Sequence, residues 1–422
     1  MKNILTSILI ITVFTLWSTP PVWSGKVEIL VDKLVEKKIL SANEAEEILK
    51  EIEEEEEKER AETVREVKDA ITKGEEGVTL VKVPEWVSKM KFSGDFRLRY
   101  QMTDREGRPE RHRGRYRLRA GIETEVVDKV KVAFGLATGS DDPRSTNQSL
   151  TDSFESPDIR LDYAYAEYTP FQWVSLVGGK IKNPLWRPSD LLWDSDIRPE
   201  GGAAKLSWEL HPKFKVFANL GVFVLDERSG DQQDPFMYAL QPGFGWKITD
   251  TTHLKTAATF YGFSNVEDTV LDHSSETNTL RNGVLRYDYD AFGMGSELGF
   301  KNPCGTRLPY LAFLGEYINN PDPEKDNEGF LVGWKLGHKK VKKKGQWQAR
   351  YMYRRLERDA WPDILPDSDF YGGETDARGH EVVFKYGVNK HVVLGLDYYY
   401  SEKLHGRSEA ENLLQVDMEF KF

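Results

Sequence analysis

The sequence alternates between apolar and polar side chains with a period of two residues, from Phe92 to Phe422. In the last segment, LLQVDMEFKF, the apolar positions are Leu414, Val416, Met418, Phe420 and Phe422. Successive side chains of a β-strand point to opposite faces, so this pattern predicts a strand with one apolar and one polar face. The edge strand of a soluble β-protein is the alternative explanation, but lipid is the solvent that best suits a wholly apolar face ending on an aromatic residue.

Sixteen segments carry this alternation, and most are close to the ~9–11 residues that a tilted strand needs to cross a bilayer. They lie near residues 92–101, 115–126, 130–138, 160–169, 173–181, 203–210, 214–224, 238–248, 253–263, 288–300, 307–317, 329–338, 346–356, 379–388, 391–400 and 412–422. Short turns alternate with long polar stretches, which are 102–112, 139–159, 182–202, 225–237, 264–284, 318–328, 357–378 and 401–411. An up-and-down barrel has this asymmetry, whereas a β-sandwich with Greek-key connections has no reason to produce it.

These features predict an all-β membrane fold, an antiparallel up-and-down transmembrane β-barrel of about 16 strands over residues 84–422. Charged residues make up 30% of the chain. That fraction is compatible with a barrel, because only every second side chain of a strand faces lipid. A sheet in hydrocarbon must satisfy all its backbone N–H and C=O groups, so we expect the first strand to pair with the last. We also expect an aromatic girdle at one membrane interface, formed by Tyr398, Tyr400, Phe420 and Phe422.

The N-terminal part of the chain has a different pattern. Residues 1–24 are typical of a secretory signal peptide, with Lys2 before an apolar run and small residues before a cut after Ser24. Residues 25–83 have apolar side chains at helical spacing and carry 18 acidic and 11 basic side chains. They predict a short helical or coiled-coil periplasmic segment, which could act as a spacer, help the protein oligomerise, or contact peptidoglycan.

A 16-stranded barrel leaves a water-filled lumen, whereas barrels of about eight strands are filled by their own side chains. The inward positions are strongly charged, and we predict that the pore is lined by Arg97, Arg99, Arg115, Arg117, Arg119, Glu123, Arg350 and Arg354. A wet lumen removes the cost of several kcal/mol that each unpaired ion would carry in a dry core. We therefore predict passive diffusion of small polar or charged solutes, with no cofactor, no metal site and no nucleic-acid partner.

Four segments resemble the bacterial putative porin family of outer-membrane barrels: RGRYRLRAGIETEV, LATGSDDPRSTNQS, LDYAYAEYTP and GGKIKNPLWRPSDLLWDSDIRPEGGA. The resemblance extends from about residue 92 to residue 422 and is densest over 113–204. It implies a multi-pass channel in the lipid of a Gram-negative-type outer membrane, without a known substrate. The chain is also similar to 16-stranded general porins, and that analogy implies a homotrimer.

In general porins, the third long loop folds into the lumen and narrows it. The corresponding stretch here, KNPLWRPSDLLWDSDIRPEGG, is stiffened by proline and tryptophan. We predict a constriction built by Trp186, Asp190, Trp193, Asp194 and Asp196. Its carboxylates would face the basic wall across the bore and create a transverse field. The arginines of that wall are Arg97, Arg99, Arg115, Arg117 and Arg119. In the alternative interpretation the arginines brace the wall by pairing with Asp95, Glu123 and Glu125, and the loop caps the mouth.

Two other functions remain open from the sequence. An outer-membrane barrel enzyme would need a nucleophile beside a histidine, and His380 with Ser401 is the nearest candidate pair. A structural anchor would use residues 25–83 to tether the envelope, with the barrel serving only to hold it in the membrane. The sequence contains no nucleophile elbow, no Walker loop and no HExxH motif.

Overall fold

The computed structural model describes residues 85–230, 233–407 and 409–422. The predicted signal peptide (1–24) and the acidic segment (25–83) lie outside the described residues. The described part begins with a single helical turn, α1 (Glu85–Ser88), which is too short to cross a membrane. No other α-helix occurs in the described ranges, so none of their helices could span a bilayer.

Sixteen long strands follow α1, and we number them in chain order. They are β1 (Lys91–Arg105), β2 (Arg111–Val127), β3 (Val130–Ala137), β4 (Arg160–Phe171), β5 (Val174–Lys180), β6 (Glu200–His211), β7 (Phe214–Val224), β8 (Phe236–Lys247), β9 (Thr252–Ser264), β10 (Ala291–Lys301), β11 (Tyr310–Asn319), β12 (Glu328–Gly337), β13 (Trp347–Leu356), β14 (Ala377–Gly387), β15 (Val392–Lys403) and β16 (Ala410–Lys421). Shorter strands occur at Gln148–Ser149, Leu280–Arg281, Val284–Leu285 and Pro303–Thr306, and single 3-10 turns at Asp152–Phe154 and Tyr371–Gly373.

Each long strand pairs antiparallel with the next along the chain, and β1 pairs with β16 to close the cylinder. The closing register places Phe96 opposite Phe420 and Leu98 opposite Met418. The predicted closed barrel of 16 antiparallel strands is therefore confirmed. Closure matters because every strand of a closed barrel has a neighbour on both sides. All backbone N–H and C=O groups that face hydrocarbon can then form hydrogen bonds.

Short connections lie at one end of the barrel, called the turn end, and long ones at the other, called the loop end. The long loops are L1 (106–110), L2 (138–159), L3 (181–199), L4 (225–235), L5 (265–290), L6 (320–327), L7 (357–376) and L8 (404–409). L1 is much shorter than the predicted 102–112, because β1 and β2 continue pairing as far as Thr103 and Arg111. The ends of β1 and β2 next to L1 are polar and do not alternate with apolar residues. The sequence pattern therefore did not predict that the two strands extend this far.

The two faces of the barrel differ as the alternation predicts. On β16, the outward-facing Val416 and Met418 are 45% and 41% exposed, whereas the inward-facing Gln415 is fully buried. Aromatic rings cluster near the turn end, where Trp173 stacks with Phe171 and with Trp208 at centroid distances of 5.6 Å. An apolar exterior of this kind suits contact with lipid tails.

The predicted girdle around Phe422 is only partly correct. The Phe422 ring stacks on Phe92 at 5.9 Å, and Phe420 lies against Phe96 at 6.1 Å. Tyr398 and Tyr400 also face outward, but they pair with Leu414 and Asn412, far along β16 from Phe422. Their assignment to this girdle was wrong, because β15 and β16 are antiparallel and the two tyrosines lie toward the loop end.

The seam between β1 and β16 depends on Phe422, which exchanges backbone hydrogen bonds of 2.9 and 3.1 Å with Gly94. A Cβ added at Gly94 would lie 2.6 Å from the Phe422 ring, so the ring packs directly over a glycine. We expect Phe422→Ala to destabilise the barrel by about 1 kcal/mol through loss of this ring contact. The urea midpoint of the protein folded into lipid vesicles measures the effect. Phe384→Ala, at an outward phenylalanine away from the seam, is the control, and an equal loss there would contradict a special role for Phe422.

Candidate functional site

L3 leaves the wall after β5 and runs along the inside of the barrel. Gln241 on β8 accepts a hydrogen bond from the Trp186 N–H (2.7 Å) and donates one to the Trp186 carbonyl (2.8 Å). Glu316 on β11 accepts hydrogen bonds from the N–H groups of Ser189 and Leu191, both at 3.2 Å. Inward polar side chains thus satisfy the backbone of a buried loop, which has no strand partner of its own.

The close fit of L3 against the opposite wall depends on a glycine. A Cβ at Gly295 on β10 would lie 2.9 Å from Pro188 and 3.6 Å from Trp186. Lys255 on β9 reaches the same point, with its ammonium 4.5 Å from the centre of the Trp186 ring. L3 therefore lies inside the barrel, against strands β8 to β11.

Each of the three predicted carboxylates of L3 accepts hydrogen bonds from other residues. Asp190 accepts a hydrogen bond of 2.9 Å from Arg354. Asp196 accepts hydrogen bonds from Arg119 (3.2 Å) and from the Thr146 hydroxyl (2.8 Å). Asp194 accepts hydrogen bonds from the backbone N–H groups of Asp196 and Ser368, both at 2.8 Å.

These contacts alter the predicted electrostatics of L3. In this loop, which lies outside the spanning strands, burial and the neighbouring Asp196 carboxylate raise the pKa of Asp194 to about 7. Asp196 directly contacts Arg119, one of the arginines that the sequence analysis placed across the bore, and Asp190 contacts Arg354 of β13, which was not in that predicted cluster. The acidic loop and the basic wall are thus joined by ion pairs, instead of facing each other across an open gap.

L7 also folds into the lumen, which the sequence analysis did not predict. The Trp361 indole N–H donates a 2.7 Å hydrogen bond to the Leu192 carbonyl, and the Asp194 N–H donates one to the Leu365 carbonyl. The Trp361 ring is fully buried and meets Trp193 edge-on at 6.3 Å and Tyr261 at 4.6 Å. The proline, tryptophan and aspartate content of WPDILPDSDF, which matches that of L3, was the available signal.

L5 packs against L3 and L7 inside the lumen, and two carboxylates of L7 hold it there by hydrogen bonds. Asp363 accepts a hydrogen bond from the Thr277 N–H (2.9 Å), and Asp359 accepts one from the Thr279 N–H (2.7 Å). L2 contributes Thr146, already described as a partner of Asp196. Four loops therefore fill one side of the lumen at the loop end, around buried side chains of L3, L7 and strands β8 to β13.

The remaining side of the lumen is walled by the predicted arginines of β1 and β2 and by acids of β16. Arg99 binds Asp417 through two hydrogen bonds of 2.7 and 2.8 Å, while Arg97 lies 3.4 Å from the same carboxylate. Arg117 contacts Asp95 at 2.5 Å and Glu419 at 3.0 Å. Arg119 also pairs with Asp95, at 2.9 Å. The arginines of neighbouring strands stand directly opposite each other, and interleaved carboxylates offset their repulsion.

The other predicted pore residues occupy different places. Arg115 hydrogen-bonds the Gln101 side chain at 3.0 Å and has no carboxylate partner among the described residues. Arg350 lies 3.6 Å from Glu381 on β14. Glu123 lies toward the turn end, 3.7 Å from Lys131, so it does not brace the arginines. Glu125 likewise pairs with Lys89 at 3.7 Å.

Arg354 lies at the centre of an acidic cluster in which oxygen atoms of Asp190, Asp367 and Glu381 approach within 4.8 Å of one another. Its guanidinium contacts all three carboxylates, including a short contact with Glu381. A positive charge therefore already occupies the centre of this cluster, and the three acids tie L3 and L7 to β13 and β14.

Arg187 on L3 was missed by the sequence analysis. It has no hydrogen bond or ion pair with any described residue, although it lies between Trp186 and Pro188 inside the barrel. The candidate enzyme pair, in contrast, is not formed. His380 faces outward and hydrogen-bonds the Tyr351 hydroxyl at 2.8 Å, whereas Ser401 is buried on the inner face.

Comparison with known proteins agrees with this architecture. A protein-family model described as Putative porin matches residues 103–292 and 301–422. No curated protein sequence matches the chain. Among solved structures, the high-pH structure of Pseudomonas putida OprB aligns with a TM-score of 0.54 at 11% identity, covering 80% of this chain and 96% of that one.

Two further structures are similar at a lower level. The outer membrane channel DcaP of Acinetobacter baumannii gives a TM-score of 0.46 at 13% identity over 79% of this chain and 97% of that one. A mutant of the Rh. blastica porin gives a TM-score of 0.46 at 12% identity over 79% of this chain and 100% of that one.

The family match covers most of the barrel, and the closed cylinder with charged side chains inside is the architecture of such channels. Family and fold point to a channel and not to an enzyme. The chain belongs to the putative porin family and is an outer-membrane channel.

Proposed function

We propose that L3 and L7 together form the constriction of this porin, and that the charges around them select among small polar or charged solutes. The observation that carries the proposal is the packed body that L3, L7, L5 and L2 build inside the lumen. It leaves the charged wall of β14 to β16, β1 and β2 as the surface that a solute would meet, and L7 reaches this wall where Asp369 pairs with Arg99 at 3.1 Å. The loop end faces the cell exterior in this proposal and the turn end faces the periplasm, as in other bacterial barrels.

Charges of both signs line the constriction, and most of them are matched. Asp190, Asp196 and Asp417 each contact an arginine, so these acids present little net charge to a passing ion. Arg187 and Lys385 have no ion pair with a described residue. The constriction is therefore held together by its ion pairs. Removal of the L3 acids would leave Arg354 with Asp367 and Glu381 and Arg119 with Asp95, but with fewer negative charges in the bore than before.

The chain is also proposed to assemble as a homo-oligomer, by analogy a trimer, in the outer-membrane lipid. Residues 25–83 are proposed to lie in the periplasm, where they could contact peptidoglycan. Deletion of 25–83 separates a channel from a structural anchor. A channel keeps its single-channel current without the segment, whereas an anchor would lose envelope attachment and show no current even when intact.

Replacement of Trp361 tests whether L7 narrows the bore. Large-to-small changes of buried aromatic residues cost about 3–5 kcal/mol, so Trp361→Ala should release L7 from L3. We expect a larger single-channel conductance in planar bilayers, with more frequent current fluctuations. Trp334→Ala, at an outward tryptophan that stacks on Tyr351 at 5.8 Å, is the matched control. Equal conductance in Trp361→Ala and the intact protein would show that L7 does not narrow the bore.

Replacement of the L3 carboxylates tests whether their charge sets the cation/anion preference of the channel. Replacement of Asp190, Asp194 and Asp196 by asparagine removes one carboxylate partner of Arg354 and one of Arg119, lowers the negative charge of the bore and should shift permeation toward anions. The reversal potential in a potassium chloride gradient measures the shift.

The control for this triple variant replaces three exposed loop acids, Glu155, Glu227 and Glu324, by glutamine. They lie on L2, L4 and L6, and their change should move the reversal potential much less. A cation/anion preference that stays constant in the L3 variant would refute a selective role for these acids.

A further inference from the structure

A second cluster of charge lies at the turn end of the lumen, apart from the constriction. It consists of inward-facing lysines on neighbouring strands and one in the turn that follows: Lys215 on β7, Lys255 on β9, Lys301 on β10, Lys335 on β12 and Lys339. We call this cluster the lysine recess. The inward direction of Lys255 follows from its contact with Trp186 of L3, and that of Lys339 from its contact with the buried Tyr310.

The lysine recess has little compensating negative charge. Glu297 on β10 pairs with Lys335 at 3.2 Å. Lys215, Lys255, Lys301 and Lys339 have no ion pair with any described residue, although Glu209 lies opposite Lys215 in the strand register and Glu297 acts electrostatically on Lys255. Lys215 and Lys255 lie near each other, because both stand beside Gly245 of β8, one on each neighbouring strand. Like charges this close repel, so the arrangement favours an anion that would bridge them.

Aromatic rings hold the lysines in place. The Lys255 ammonium lies 4.5 Å from the Trp186 ring and 4.8 Å from the Phe217 ring. The Lys339 ammonium lies 5.6 Å from the Tyr310 ring. Cation–π contacts of this kind fix an ammonium group without neutralising it. The positive charge is thus positioned before any ligand arrives, and Trp186 links the lysine recess to L3.

The wall beside the lysines is open. No atom lies within 4 Å of the place where a Cβ would sit at Gly245. A cavity of about 450 Å³ lies there, and Lys215, Lys255, Lys301 and Lys339 are among its lining residues. His253 adds a buried ring nitrogen, Nδ1, that has no hydrogen-bond partner among the described residues. A volume of this size suits a small ligand and not a macromolecule.

We propose that the lysine recess binds small anions with two or more negative charges, such as inorganic phosphate or a di- or tricarboxylate, beside the periplasmic mouth. The proposal rests on the channel function proposed above. Four ammonium groups without ion pairs outnumber the nearby Glu209 and Glu297 and offer donors to several oxygens at once, which a monovalent anion cannot use equally. A positive lumen wall also raises the local concentration of anions and so favours their permeation.

The test uses the full-length mature protein in planar bilayers of neutral phosphatidylcholine, with citrate as the multivalent probe and acetate as the monovalent one. Citrate added on the turn-end side should reduce the potassium chloride current, whereas acetate at equal concentration should not. In Lys215→Gln/Lys255→Gln/Lys339→Gln, we expect the citrate concentration for half-block to rise at least about fivefold, because three of the bridging charges are gone.

The matched control is Lys342→Gln/Lys343→Gln/Lys344→Gln, which removes the same charge from exposed positions of the 338–346 turn. Its half-block concentration should stay within about twofold of the intact protein, because charges outside the lumen are screened by salt. Lys339→Gln alone, at the rim of the barrel, is the second variant should the triple variant fail to fold. Its expected effect has the same direction and is smaller.

The outcomes separate this inference from the channel function. An intact protein without single-channel current would overturn the channel and the lysine recess together. Normal current with unchanged citrate block in the lysine variants would overturn the recess alone. An equal loss of block in the turn control would mean that general surface charge is responsible. If the lysine variants differ from the intact protein only in bilayers with anionic lipid, the ligand is a lipid headgroup and the proposal is wrong.

Discussion

The structure depends on the pairing of β1 with β16, because a sheet surrounded by hydrocarbon cannot leave a row of backbone groups without partners. The register that joins Phe96 to Phe420 turns a ribbon of sixteen strands into a cylinder. Once the cylinder is closed, the outward side chains meet lipid and the inward ones share an enclosed space. The charge of the lumen then depends on which residues of each strand point inward and on the loops that enter it.

The enclosed space is wide enough for loops to enter, and the entering loops need partners. Inward polar residues such as Gln241 and Glu316 serve the backbone of L3, and Arg354 joins L3 and L7 to the wall. A buried ion pair gains stability only when its geometry is good and its remaining groups are bonded. The ion pairs of this lumen therefore hold L3 and L7 against the wall, and we propose that the charges without partners set the selectivity.

Those unmatched charges are unevenly distributed along the axis. Around L3, the proposed constriction, acids and bases alternate and largely compensate each other. At the turn end, four lysines without ion-pair partners among the described residues surround a recess whose wall opens at Gly245. Trp186 touches both regions, since it belongs to L3 and stacks on Lys255. The proposed constriction and the lysine recess are thus connected by one aromatic side chain.

The barrel was predictable from the sequence, because two-residue alternation and unequal connections are local properties that a list of residues displays. Sixteen strands, closure and the inward direction of the arginines follow from this pattern and from the need to satisfy backbone groups in lipid. The entry of L7, the pairing of Asp190 with Arg354 and the grouping of Lys215, Lys255 and Lys339 do not. They join residues far apart in the chain, and only the closed register and the packing of loops in the lumen decide which of them meet.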